Sequence, residues 1–234
     1  MSYSTTTGKS SFEIEVSYKL VESGSPDVHK PLIVYLHGFG QNAYVIEKKL
    51  DYMLSFEAYH LFIDAPYLVF DTSRKKELSK WGRSWYVYDG SQAQFLKSLE
   101  KGTAFLEKLI QDIQKQVLCS RICILGYSMG GYLGGYFALS KNKLVSEAII
   151  IGARIKTEVF DDQLDEAKDV SILALHGKDD TSVYPEPQHK EILKLKDKGF
   201  NATFIEVDCG HELCQKYMNH VVSWLYEVGY KRNK

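Results

Sequence analysis

The chain of 234 residues holds only four cysteines and five prolines, carries a formal net charge of -1, and has no apolar run long enough to span a membrane. Each shortage excludes something. Cys119, Cys123, Cys209 and Cys214 form neither paired CxxC knuckles nor a disulfide scaffold, so they are read as reduced thiols. The near-neutral balance gives no electrostatic ground for a nucleic-acid partner or an anionic membrane surface; a small-molecule or acylated substrate is expected instead. The polar start, MSYSTTTGKSS, lacks the apolar stretch of a secretory signal, and the expected location is cytoplasmic. No two histidines have metal-ligand spacing, so neither a metal nor another cofactor is expected.

What is present is enough for one large core: 44% of residues are hydrophobic and 25% charged. A single domain over residues 1–234 is predicted, with residues 1–10 flexible. Apolar runs rich in β-branched and aromatic residues predict seven strands, at 12–20, 32–36, 60–63, 122–125, 148–151, 172–175 and 202–207. Most lack polar alternation, as strands buried on both faces of a parallel sheet do; the first, FEIEVSY, alternates and reads as an edge strand. Phe95, Leu96, Leu99, Leu106, Ile110, Ile113 and Val117 recur at helical spacing and predict a crossover helix at 95–117. Further helices are expected at 43–56, 129–140, 186–198 and 211–226. Strand and helix alternate, which is the pattern of a doubly wound, mostly parallel α/β sheet.

Directly after the strand at 122–125 comes Gly126-Tyr-Ser128-Met-Gly130-Gly131, a GxSxG pattern between a buried strand and a helix. A nucleophilic serine needs a sharp, strained turn there, with small neighbours that let backbone approach. With glycine and serine each near 7% of residues, three fixed positions recur by chance in about one chain in ten, so the context carries the argument. The next helix contains Gly130, Gly131, Gly134 and Gly135, each costing about 1 kcal/mol relative to alanine, and close packing on the sheet is the expected compensation.

An acyl-transfer transition state gathers negative charge on the former carbonyl oxygen, and two fixed N–H donors stabilise it. The strand at 32–36 runs into His37-Gly-Phe39-Gly-Gln41-Asn42, and the donors are assigned to Phe39 and Met129. His37, at the strand end, is expected to brace the loop. Two more strand ends carry polar loops, with Asp179 and Asp180 after 172–175 and His211 after 202–207. That edge of a parallel sheet collects catalytic groups. The order Ser128, Asp, His211 is the chain order of α/β-hydrolases, with His211 as general base and the carboxylate holding its tautomer. Asp208 and Glu212 follow the wrong strand to be the acid. His29, His60, His189 and His220 are read as solvated or packing residues, and His176 as a brace.

With HGFG, GYSMGG, HGKDD and CGH in this order, residues 30–226 resemble the phospholipase/carboxylesterase family, which includes acyl-protein thioesterases. HGFGQN, Ile63-Asp-Ala-Pro66 and Arg83-Ser-Trp-Tyr86 are also similar to the small serine hydrolases of fungi. The resemblance implies an α/β-hydrolase core without a cofactor that cleaves carboxylic esters or thioesters of a hydrophobic acyl group. It places the nucleophile on Ser128, the acid on Asp180 and the base on His211, with Phe39 and Met129 as oxyanion donors. Thioesterase members usually have glutamine where this chain has Met129 and an acidic residue where it has Gln41, and Tyr184 separates Val183 from Pro185. These departures leave the triad whole and bear on the substrate.

Residues 66–90 hold Tyr67, Phe70, Trp81, Trp85, Tyr86 and Tyr88 with little periodicity. Long loops often line active sites. One reading makes Trp85 and Tyr86 part of an acyl-binding wall; the other has the rings pack the loop onto the core. Arg74-Lys-Lys76 reads as a solvated face. Two other functions stand beside the hydrolase: a slow-turnover or non-catalytic receptor on the same fold, and a peptidase, which the chain is short for.

Overall fold

Apolar side chains on successive residues of a strand point to opposite faces, so an unbroken apolar run calls for cover on both. The computed structural model, which describes residues 4–26 and 28–233, meets that demand with one seven-stranded sheet and helices on each side. In chain order the elements are β1 (Tyr18–Glu22), β2 (Lys30–Leu36), α1 (Ala43–Lys49), β3 (Tyr59–Ile63), β4 (Tyr67–Val69), β5 (Gly82–Ser84), α2 (Gln92–Gln114), β6 (Cys119–Tyr127), α3 (Met129–Ser140), β7 (Glu147–Ile151), β8 (Ser171–Gly177), α4 (Pro185–Asp197), β9 (Ala202–Val207) and α5 (Gln215–Glu227). The sheet order is β1-β3-β2-β6-β7-β8-β9, antiparallel only between β1 and β3.

The two cores follow the alternation along β2. Leu32, Val34 and Leu36 belong to the core on the face covered by α2, α3 and α4, together with Leu99, Leu133 and Ile192 of those helices. Ile33 and Tyr35 face the other way, toward Ile46 of α1 and Tyr217, Val221 and Leu225 of α5. The glycines of α3 bring it down onto the sheet as expected: a Cβ on Gly134 would stand 3.1 Å from the side chain of Ile124, and one on Gly131 would stand 2.7 Å from that of Ala153.

Four elements differ from expectation, one being the helix expected at 211–226, which begins only at Gln215 and leaves His211 in a loop. The first strand is shorter than 12–20: β1 pairs Tyr18 with Ile63 and Glu22 with Tyr59, and β3 has no residue left to pair with 12–17. Phe12 is accordingly 85% exposed. The stretch expected to be flexible lies partly outside the described residues, and residues 4–17 belong to no helix or strand. The helix expected at 43–56 ends at Lys49, and a 3-10 turn over Asp51–Ser55 delivers Phe56 inward against Tyr226 and Tyr230. Finally, the stretch 66–90 contains the antiparallel pair β4 and β5, each only three residues long and so below the length at which alternation shows.

Candidate active site

Strand order reverses between β2 and β6: the chain starts at the outer strand β1, enters the sheet at β2 and steps back to β3 on one side, then crosses to β6 and runs through β7 and β8 to β9 on the other. Loops leaving the carboxyl ends of such strands diverge and open a crevice. The loop after β2 carries Phe39, and Ser128 follows β6 directly.

Ser128 has φ 52° and ψ -117°, a conformation that side-chain-bearing residues rarely adopt and that costs on the order of 1–3 kcal/mol. Its N–H donates to the carbonyl of Ile151 at 2.8 Å, which holds the turn. The flanking glycines are required by space: a Cβ on Gly126 would strike the carbonyl of Gly130, and one on Gly130 would strike that of Leu36. The serine side chain thus stands at the N-terminus of α3.

Ser128 Oγ lies 2.8 Å from His211 Nε2, and His211 Nδ1 lies 2.6 Å from Asp180 Oδ2. The carboxylate accepts only, so Nδ1 carries the proton and Nε2 is free to accept the serine O–H. The other oxygen of Asp180 accepts the N–H groups of Ser182 and Val183 at 2.9 and 2.8 Å, which fixes the carboxylate's orientation. Asp180 is buried, whereas Asp179 is exposed and turns only its backbone to the loop, donating its N–H to Cys209 O. The structure therefore brings Asp180, and not Asp179, to His211. Tyr127 donates its hydroxyl to the His211 carbonyl at 2.6 Å. His176 Nε2 donates to Val183 O at 2.7 Å, bracing the loop that carries Asp180, and burial lowers its pKa.

Phe39, Ser128 and Met129 line one cleft of about 500 Å³. Among the described residues neither the Phe39 N–H nor the Met129 N–H has a hydrogen-bond partner. Met129 is the first residue of α3, where the helix dipole favours negative charge. The loop holding Phe39 is fastened from outside by β5, since Gly40 N–H donates to Arg83 O at 3.0 Å and Arg83 N–H to Gln41 O at 2.7 Å.

His37 is buried in that loop. Nδ1 donates to Gly38 O at 2.8 Å and Nε2 accepts the Ala65 N–H at 3.1 Å, which uses both nitrogens of the neutral ring. Burial lowers its pKa to about 4. Trp85 corrects one expectation: it is 0% exposed, packs against His37 with the rings tilted and their centroids 5.0 Å apart, and donates its indole N–H to His37 O at 2.8 Å. It lines no part of the cleft, because its polar edge is committed to the loop backbone. Tyr86, the next residue, does line the cleft, with Tyr67, Leu68, Val69 and Val87. Ser84 sits at its base, donating to Tyr86 O at 2.6 Å.

Two contributors escape a reading by function. Asp64 Oδ1 accepts the Ala43 N–H at 2.8 Å and Oδ2 lies 3.5 Å from the Arg83 guanidinium, joining β3, α1 and β5 behind the loop. Both residues fall in the motifs IDAP and RSWY, which mark resemblance without revealing the pairing.

The phospholipase/carboxylesterase family model matches residues 17–228. The chain belongs to the phospholipase/carboxylesterase family. It is therefore a hydrolase with an α/β-hydrolase fold. Among solved structures, the esterase PE8 is similar over 92% of this chain and 100% of its own, at TM-score 0.76 and 19% identity. A carboxylesterase of Bacillus cereus is similar over 91% and 94%, at 0.75 and 16%. Acyl-protein thioesterase 2 of Zea mays is similar over 90% and 98%, at 0.72 and 18%. Identities this low speak for the shared fold. No curated protein sequence matches the chain significantly. No helix among the described residues is long and apolar enough to cross a membrane.

Proposed function

We propose that this family member is a serine carboxylesterase or thioesterase, working as a single α/β-hydrolase domain through an acyl-enzyme on Ser128. The observation that carries the reading is the series Ser128 Oγ, His211 Nε2, His211 Nδ1, Asp180 Oδ2, bonded at 2.8 and 2.6 Å with its serine in the cleft wall. As Ser128 attacks the acyl carbon, His211 takes its proton and Asp180 stabilises the imidazolium. The carbonyl oxygen becomes an oxyanion and takes the two free N–H groups of Phe39 and Met129, each worth about 3 kcal/mol in such sites. The tetrahedral intermediate collapses, His211 protonates the departing alcohol or thiol, and water, activated by the same imidazole, releases the acid.

Leu68, Val69, Val87, Met129 and the rings of Phe39 and Tyr86 make the cleft wall mainly apolar, which suits a hydrophobic acyl group. A cytoplasmic setting fits the four free thiols. The test is hydrolysis of p-nitrophenyl esters from acetate to palmitate, with labelling by a fluorophosphonate. Ser128→Ala should lower kcat by about a million-fold and abolish the label. Equal turnover by both proteins would move the nucleophile elsewhere. A folded wild type that neither turns over esters nor takes the label would point to a binding role instead.

A further inference from the structure

The loop that carries His211 is bracketed by two thiols. Cys209 ends the turn after β9, Cys214 caps α5, and their sulfurs are 3.0 Å apart. We propose that Cys209 and Cys214 are a redox pair which a peroxide closes into a disulfide, clasping the loop around His211.

The loop's attachments show what a clasp would change. Cys209 is held at both backbone groups, its N–H donating to Val207 O at 2.8 Å and its carbonyl accepting the Asp179 N–H at 3.1 Å. Beyond it the ties thin out. Among the described residues, the N–H groups of Gly210, His211, Glu212 and Leu213 have no hydrogen-bond acceptor, so the backbone of this stretch is held only through His211, by the Tyr127 hydroxyl on its carbonyl and by its ring on Ser128 and Asp180. A segment so loosely bonded opens at low cost. The pair stands in this near-bonded position while His211 keeps both its partners, so a disulfide needs an approach of about 1 Å and no rearrangement of the site. Cys209 and Cys214 are both half-buried, whereas Cys123 is buried in β6 and Cys119, half-buried as well, lies at the strand's far end with no thiol partner beside it.

The chemistry balances with hydrogen peroxide as oxidant. Burial, reinforced by the Cys214 thiol, pushes the Cys209 thiol up to about 11, and the first attack is assigned to its partner Cys214. Its sulfur takes one peroxide oxygen, the O–O bond breaks, and the second oxygen leaves as water with the thiol proton. The sulfur of Cys209 then displaces the hydroxyl of the resulting sulfenic acid, which leaves as a second water. Two thiols lose two electrons and one peroxide gains them.

The importance of the clasp rests on His211 being the base, but its test reads the bond and the loop without turnover. The folded protein is treated with hydrogen peroxide, mapped by peptide mass spectrometry, and followed by amide hydrogen exchange. The expected result is a Cys209–Cys214 cross-link two hydrogens lighter, with Cys119 and Cys123 still alkylatable after unfolding. Exchange at residues 210–213 should slow by about tenfold, the scale for closing a short loop. Cys214→Ser places a residue favoured at a helix N-cap in that position and should show no change in exchange on peroxide treatment. Overturning results are two thiols that stay reduced, oxygen added to either sulfur as the end product, or a cross-linked loop that exchanges as fast as before.

Discussion

On one side of Ser128 lie His37, Trp85, Asp64 and Arg83, buried or nearly so, with backbone and side chains tied to one another. On the other lie Phe39, Leu68, Val87 and Tyr88, which line the cleft and are 64%, 45%, 53% and 52% exposed. The first side holds backbone donors in place, a task that tolerates little displacement. The second offers apolar side chains to a ligand, and its hydrogen bonds, such as those of Gln94 and Ser98 to Val87 O and of Tyr88 to Gly90 O, hold backbone and rim rather than the oxyanion loop. Trp85 and Tyr86 are sequence neighbours that fall on opposite sides of this divide: Trp85 turns inward onto His37, whereas Tyr86 lines the cleft.

Substitutions should separate the two sides. Trp85→Ala should cost about 3–5 kcal/mol in urea unfolding, since it empties a fully buried site; a loss under 1 kcal/mol would show that the brace is not packed as described. The milder Trp85→Phe, which removes the N–H to His37 and part of the ring but keeps an aromatic in place, should lower kcat equally for short and long acyl chains. A change confined to long chains would return Trp85 to the acyl wall. Asp64→Ala should cost about 3 kcal/mol by leaving Arg83 largely buried without its partner.

Acid should act on the same buried histidines. Burial lowers the pKa of His37 to about 4 and that of His60 to about 4. His60 uses both nitrogens as a neutral ring, with Tyr35 and with the carbonyl of Phe56. Below the ordinary value near 6.5 the unfolded chain takes up protons that the folded rings refuse. Their contribution is therefore intact above about pH 6.5 and declines toward pH 4, at about 1.4 kcal/mol per pH unit per ring in mid-window. Urea titrations across that range measure the slope, and His60→Gln should remove its share. On the cleft side the effect should be smallest: Leu68→Ser should leave stability within about 0.5 kcal/mol while raising KM for long acyl chains alone. Equal effects on acetate and palmitate esters would mean that Leu68 does not meet the acyl chain.

The sheet was legible because parallel strands covered on both faces leave unbroken apolar runs, as at Leu32, Ile33 and Val34. So was α3, whose glycines make sense only beneath a tight turn. Such signals are local, with the residues that make them adjacent or one helical turn apart. The loop segment at 66–90 gave no comparable pattern, since β4 and β5 are three residues each and their pairing joins positions some 15 apart in the chain.

From the sequence alone come the element order, the buried strands and the strand-end positions of Ser128, Asp180 and His211, because periodicity and motif are properties of neighbouring residues. Tertiary structure decided which aspartate reaches His211, that Trp85 faces inward while Tyr86 faces the cleft, that Asp64 meets Arg83, and that Cys209 stands beside Cys214. Those are questions of where side chains point once the chain has turned, and a local pattern carries no record of direction across a loop.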